Sequence, residues 1–300
     1  MSPKPGPAKI QALGTLFEIM RGGRLPLPPR LRRVYGDLRL PRPGAQPYVF
    51  SNFVTTLDGV VSLNAKGHAS GGDISGFDAQ DRMVMGLLRA VASAIVIGSG
   101  TLRADRQHIW TAAAIFPPFA TDYGRLRAAL GLPAVPLNVI VSGSGDIDLR
   151  LPIFTSSKVP VLICTTAAGA KHLGRQRGPA AVEIRAMGGR AGAIPSRAIL
   201  AAACQASGGQ RILVEGGPRL LGDFYAEGLI DDQFLTLAPQ IAGRATGDRR
   251  LSLVMGKLFA PGGPLWGRLV DARRGNRSLF LRYSFAGLPP GRVAAGRLSP

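Results

Sequence analysis

The run ILVEGGPRLLGDF, residues 212–224, holds the residue types best placed to do chemistry. Ile212 to Val214 read as a buried strand that stops at a carboxylate, Glu215. Gly216, Gly217 and Pro218 then turn the chain, and an apolar-periodic helix starts from about Leu220. A strand that ends at an acid and turns into a helix N-terminus is how α/β proteins build an anion site. The free N–H groups and the positive helix end favour a phosphate there. Glycines let the ligand approach the backbone closely. Glu215 is then expected at the carboxyl edge of a sheet, where open α/β folds bind ligands.

A second turn of the same kind follows the apolar run AIVIG at 94–98. Gly98, Ser99, Gly100 and Thr101 lead from that strand into a short helical turn, as in other phosphate loops. One glycine-rich turn after a strand is more often only a turn. Two at the ends of two parallel strands could hold a dinucleotide pyrophosphate between them. Thr101 adds a hydroxyl, and Asp105 is either an acceptor for a ribose or a surface cap. The strand LNVIVS ends in SGSGD, so Ser142 and Ser144 present hydroxyls suited to a ribose or its 2′-phosphate, or make a plain Ser/Gly turn. Asp58-Gly59, after a strand, is a hairpin-type dipeptide. The alternative is that the chain crosses a substrate pocket there, with the Asp58 carboxylate orienting the turn. The polar loop HASGGDISGFDAQ leads into a helix capped by Asp78.

Nucleophile constellations are missing: there is no GxSxG and no Cys–His spacing to argue from. His68, His108 and His172 are scattered, and Cys164 and Cys204 are isolated, so no metal site is expected. Phosphate-holding turns with one acid beside them suit hydride transfer, where a cofactor carries the hard chemistry.

These turns need a parallel sheet to position them. Strands are expected at 48–56, 94–98, 137–142, 159–165, 181–186, 212–214 and 233–239. They alternate with helices at 79–93, 195–207 and from about 220. In the helix 79–93, Met83, Val84, Leu87, Leu88 and Val91 share one face. WGRLVDARR and SLFLRYSF read as a terminal antiparallel pair. The fold class is therefore α/β, with a mostly parallel central sheet covered by helices on both faces. One domain over residues 47–286 is expected. Residues 1–46 read as a basic, proline-rich N-terminal arm with a short helix from about Ile10 to Met20, and 287–300 as a disordered tail.

Composition narrows the function. Of 300 residues 46% are hydrophobic and mean hydropathy is +0.15, enough for a sizeable core. No apolar run approaches the roughly 20 residues of a membrane span, and the N-terminus lacks the apolar region of a signal peptide. The expected location is cytoplasmic. The net charge of +19 tempts toward nucleic acid, but it gathers at residues 1–42 and 268–300. Only six of the 37 basic residues are Lys, and aromatics do not interleave with them as a stacking platform requires. The pattern argues against a nucleic-acid partner.

LDG at 57–59, LLRAVASAIVIGSGTLRAD at 87–105 and ILVEGGPRLLGDFYAEGLIDD at 212–232 together resemble the reductase domain of bacterial riboflavin biosynthesis. That family belongs to the dihydrofolate-reductase-like superfamily, and the resemblance covers residues 47–285. It implies an NADPH-dependent enzyme, commonly a homodimer. The reaction reduces the ribosyl group of 5-amino-6-(5-phosphoribosylamino)uracil to ribityl by hydride delivery to C1′. Carried over by motif, Gly98, Gly100, Thr101 and Asp105 contact NADPH. Gly216, Gly217, Pro218, Arg219 and Leu220 cradle its phosphates, and Ser142 lies near the adenosine ribose. Glu215 faces the nicotinamide and the substrate as the catalytic carboxylate, and Asp58 lies on the substrate side. The chain departs from the pattern in two places. A Lys usual six residues before the LDG aspartate is Asn52 here, and an Asn-Pro-x-Leu run with a following Arg is replaced by RQHIWTAA. Both are substrate-side positions. Arg103, Arg106 and Arg219 are the cations available to compensate. No zinc-signature deaminase domain precedes the segment, which implies a stand-alone reductase. A dihydrofolate-reductase-like enzyme for another pterin, heterocycle or carbonyl, and a catalytically silent nucleotide-binding protein, are the rival readings.

Overall fold

The computed structural model describes residues 10–42, 44–174, 182–188 and 193–287. The strands are β1 (Gly14–Glu18), β2 (Gly23–Arg24), β3 (Arg39–Leu40), β4 (Tyr48–Thr55), β5 (Ala94–Gly98) and β6 (Leu137–Ser142). They continue with β7 (Val161–Thr165), β8 (Val182–Ala186), β9 (Arg211–Val214), β10 (Asp232–Leu237), β11 (Arg268–Arg274) and β12 (Leu279–Ser284). The helices are α1 (Pro29–Tyr35), α2 (Gly71–Ser75), α3 (Ala79–Val91), α4 (Ser99–Ala104) and α5 (Ala112–Ile115). After them come α6 (Ala120–Ala129), α7 (Pro152–Thr155), α8 (Ala167–Leu173), α9 (Ser196–Ser207) and α10 (Pro218–Ala226).

One large sheet runs in the order β1-β11-β12-β10-β4-β9-β5-β6-β7-β8. The pairs from β10 through β4, β9, β5, β6, β7 to β8 are parallel. β11 and β12 form the C-terminal antiparallel pair, as the sequence predicts. The central strands are continuous apolar runs because both faces are covered. In β9, Leu213 joins the core under α3, α5 and α6, while Ile212 and Val214 join the core under α9 and α10. The Asp78 carboxylate caps α3 by accepting from the N–H groups of Gln80 and Asp81 at 2.7 and 3.2 Å. At the other end Arg127 of α6 donates to the carbonyls of Arg89, Ala90 and Ala92, which satisfies the last turn.

The N-terminal segment departs from expectation. Residues expected to form a helix from Ile10 to Met20 instead contain β1, which pairs antiparallel with β11. From Leu13 on, this segment is also part of the core: Leu25, Leu31, Val34, Tyr35, Leu38 and Leu40 are buried with α3. Residues 1–9 and the expected tail from 288 on lie outside the described residues. The LDG turn is no hairpin either, since β4 has parallel neighbours on both sides. HASGGDISGFDAQ includes the short helix α2, closed by a capping box between Ser70 and Asp73.

Several arginines of the basic excess are internal struts. Arg273 is buried and ion-paired to Asp271 at 2.7 Å, and Arg282 is buried against Asp232. No helix among the described residues is long and apolar enough to cross a membrane.

Candidate active site

The strand order brings the ends of β4, β9, β5 and β6 side by side on the carboxyl edge of the sheet. The LDG turn follows β4, Glu215 follows β9, the GSGT turn follows β5, and Ser142 ends β6. The order reverses here, because the late strand β9 is inserted between β4 and β5. That is the switch point at which open α/β sheets form a ligand crevice.

The two glycine turns touch. Gly217 donates its N–H to Thr101 Oγ1 at 2.8 Å. A Cβ on Gly216 would lie 2.2 Å from Ile97 Cα and 2.3 Å from Gly98 N, so only glycine allows this approach. Gly217 has φ +37°, close to the left-handed region that glycine tolerates. Pro218 occupies the first turn of α10 and has no N–H to lose. With the Gly217 amide taken by Thr101, the amides of Arg219 and Leu220 are the helix-start donors with no partner among the described residues. Gly100 faces open space, with nothing within 4 Å of a Cβ placed there. Ser142 is buried, and its Oγ has no partner among the described residues.

Glu215 is held from behind. Arg89 of α3 donates Nε to Oε1 and Oε2 at 3.1 and 2.9 Å and Nη2 to Oε2 at 2.7 Å. Both side chains are almost fully buried, with 3% and 5% of their surface exposed. Nη1 of Arg89 contacts His108 Nε2 at 2.7 Å and donates to the Thr111 carbonyl at 3.3 Å. The guanidinium is therefore nearly spent, with four of its five N–H groups directed at protein acceptors. His108 packs edge-on against Trp110 at 4.8 Å between ring centres. Burial, then the charges of Arg89 and Arg82, push its pKa down to about 3, so the ring is neutral at ordinary pH. Its Nδ1 faces Asp105 Oδ2 at 3.6 Å. Asp105 is pushed up from the usual carboxylate range by burial, against the pull of Arg89. Asp81, also on α3, is fully buried. Burial outweighs the hydroxyls of Thr236 and Ser75 and lifts it to about 6, with the Asp78 and Glu215 charges adding to the rise.

The other expected residues have different surroundings. Asp58 is occupied within the fold: its carboxylate accepts from Thr56 Oγ1 at 2.5 Å and from the amides of Ala242 and Gly243 at 3.1 and 2.7 Å. These bonds, that of Thr56 first, hold its pKa down at about 2. Its geometry orients the turn and ties it to the loop after β10. Asn52 is buried on the α3 side of β4 and lines a narrow crevice with Val84, Phe234 and Thr236. Arg103 and Arg219 are exposed, and Arg106 is paired with Asp148 at 2.8 Å. Arg89 and His108 are the site residues that sequence reasoning missed. The available signal was an arginine inside the apolar run LLRAV, where a surface charge has no place. No cluster of three or more His, Cys, Asp or Glu among the described residues could hold a metal.

The family model of the RibD C-terminal domain matches residues 47–254. No curated protein sequence matches the chain. Among solved structures, a pyrimidine reductase-like protein from Corynebacterium diphtheriae is similar with a TM-score of 0.63 and 22% identity. That match covers 85% of this chain and 97% of that one. The diaminohydroxyphosphoribosylaminopyrimidine deaminase/5-amino-6-(5-phosphoribosylamino)uracil reductase of Thermotoga maritima gives a TM-score of 0.58 and 19% identity. Here 80% of this chain is covered but only 57% of the longer Thermotoga protein. The riboflavin biosynthesis reductase of Saccharomyces cerevisiae gives 0.56 and 13%, covering 82% and 93%. At these identities the likeness to the solved structures is one of fold.

The sheet order, parallel from β10 to β8 with a C-terminal antiparallel pair, is that of a dihydrofolate-reductase-like α/β fold. By the span of the family match, the chain belongs to the RibD C-terminal domain family, the reductases of riboflavin biosynthesis.

Proposed function

We propose that the chain is an NADPH-dependent reductase that converts the ribosyl group of 5-amino-6-(5-phosphoribosylamino)uracil to a ribityl group. The observation that carries this reading is the Thr101–Gly217 junction, which joins both glycine turns beside the buried Glu215–Arg89 pair. The residues present suit the cofactor. Arg219 and Leu220 would offer amides to a phosphate, Gly100 leaves room for one, and the Ser142 hydroxyl, which has no partner among the described residues, suits a ribose. Asp105, at the C-cap of α4, would accept from a ligand hydroxyl or amide. When bound, NADPH supplies the hydride that reduces C1′.

The chain's own residues then set the environment of that carbon. A carboxylate gripped by a guanidinium acts as a fixed acceptor, so Glu215 would orient the substrate and favour positive charge developing at C1′. Asn52 and Asp58 lie on the same edge but differ in freedom. Asp58 shapes the turn through its three bonds, whereas Asn52 is a buried polar group on the α3 side of β4.

One observation favours a second reading, reduction of a different heterocycle or carbonyl. The Lys expected at position 52 is Asn, and Arg89, the buried cation of the site, has spent its donors inside the protein. Of the three arginines expected to compensate, Arg106 is paired with Asp148, and Arg103 and Arg219 are exposed. A cytoplasmic homodimer goes with either reading, and sedimentation of the full chain measures the assembly.

Fluorescence titration with NADPH and with NADH is the first test. NADPH should saturate the site well below NADH, and no saturable binding of either removes both reductase readings. Turnover of the phosphoribosylaminopyrimidine then separates them. Binding of NADPH without turnover of this substrate leaves the second reading.

A further inference from the structure

Hydrogen bonds and short chain segments form a closed circuit around the candidate site. Thr101 Oγ1 accepts from Gly217, two residues beyond Glu215. Glu215 is gripped by Arg89, and Arg89 meets His108. The His108 N–H returns to the Asp105 carbonyl at 3.3 Å, and the Asp105 N–H returns to the Thr101 carbonyl at 3.1 Å. The circuit thus links the helix that carries Thr101 to the carboxylate through a single side chain of the 105–111 segment, His108.

Arg89 has only donors, so the contact at 2.7 Å requires a lone pair on His108 Nε2. The ring must then carry its proton on Nδ1, toward Asp105. His108 is largely buried and packs against Trp110, and it stands within the run RQHIWTAA, where this chain leaves the pattern of the family it resembles. The charged groups that face it are Arg89 and Arg82 of α3 and Asp105 of the α4 cap, with Glu215 behind Arg89.

We propose that His108 is a positioning residue for the reduction: its Nε2 accepts from Arg89 and so fixes the guanidinium that aims Glu215 at the substrate. The proposal rests on the reductase reading only for its link to turnover. The placement of the ring stands on geometry alone. With phenylalanine at 108 the ring volume is kept and the acceptor is lost. With glutamine an oxygen acceptor remains.

The test has two arms on the full chain. Nitrogen-15 NMR of the histidine ring should show His108 as the neutral Nδ1–H tautomer from pH 8 to pH 5, with the Arg89 Nε–H protected from exchange. A ring that titrates near the ordinary value of about 6.5, or that carries its proton on Nε2, overturns the proposal. In the second arm, His108→Phe should lower kcat about tenfold, the scale of one hydrogen bond to a charged group. NADPH affinity should stay within about twofold and exchange protection at Arg89 should be lost, while His108→Gln recovers most of kcat and the protection. Equal turnover and equal protection in the two variants overturns it. Failure of the wild-type chain to bind NADPH would instead remove the reductase reading and leave the NMR arm to decide the role of His108.

Discussion

Thr101 of α4 and Gly217 at the head of α10 are joined by a hydrogen bond of 2.8 Å between a hydroxyl oxygen and a backbone amide. The two residues belong to turns far apart in sequence, and the bond fixes the spacing of those turns at the carboxyl edge of the sheet. It also decides which amides of α10 remain for an anion, because the Gly217 donor is no longer free.

Thr101→Val keeps the shape and removes the acceptor. The Gly217 amide would lose its partner, a loss worth about 1–3 kcal/mol. The spacing of the turns should relax, and NADPH should bind roughly tenfold more weakly. Fluorescence titration of the variant measures this, and unchanged affinity would separate the junction from cofactor binding.

Gly216→Ala is expected to damage the fold itself. The new Cβ would meet backbone atoms of Ile97 and Gly98 at 2.2 and 2.3 Å, and neither strand can retreat without breaking the β5–β9 pairing. Thermal unfolding should show a loss of about 3 kcal/mol or more. Gly100→Ala is the control: nothing lies within 4 Å of its Cβ, and its stability should change little.

Arg89→Met leaves Glu215 as a buried anion without its cation. Breaking such a pair from one side costs about 3–5 kcal/mol, whereas replacing both partners with apolar groups is often neutral. Denaturant unfolding should therefore show a large loss for Arg89→Met and partial recovery when Glu215→Leu is added. Additive losses in the double variant would argue against a coupled pair.

These buried groups were the least legible part of the chain. Strands such as AIVIG and LNVIVS could be read because a parallel strand covered on both faces is an unbroken apolar run. Helix α3 could be read from its periodic Met83, Val84, Leu87, Leu88 and Val91. The two glycine turns were legible for the same reason, since each follows such a strand. Arg89 was not, because a charge inside the apolar run LLRAV has no evident role until its partner is known, and that partner, Glu215, lies just past the end of β9. His108 reads as an isolated histidine for the same reason. Nor was β1: nothing in GTLFE excludes a helix, and its extended form is set by pairing with β11 near the other end of the chain.

Asp81 gives a pH dependence with a definite sign. Its folded pKa of about 6 lies above the ordinary value of 3.8 for the unfolded chain. Between these values the native state holds the proton and the unfolded state does not, so stability from this group falls as pH rises from about 4 to 6. Asp81→Asn removes the buried charge. The variant should match the wild type near pH 4 and exceed it near pH 8 by on the order of 2 kcal/mol, a difference that melting curves at the two pH values would show. A variant equally destabilised at both would place the value of Asp81 in its hydrogen bonds instead.

The pairing of Gly14–Glu18 with Arg268–Arg274 has a consequence for the order of events during synthesis. A ribosome delivers the first of these strands long before the second. Until the last hairpin emerges, the nascent chain must carry Leu16 and Phe17 beside a strand edge with no partner. That state invites capture by other chains, or protection by a chaperone. Messages cut short before the final hairpin should yield chains that aggregate, even with every residue of the two glycine turns already made.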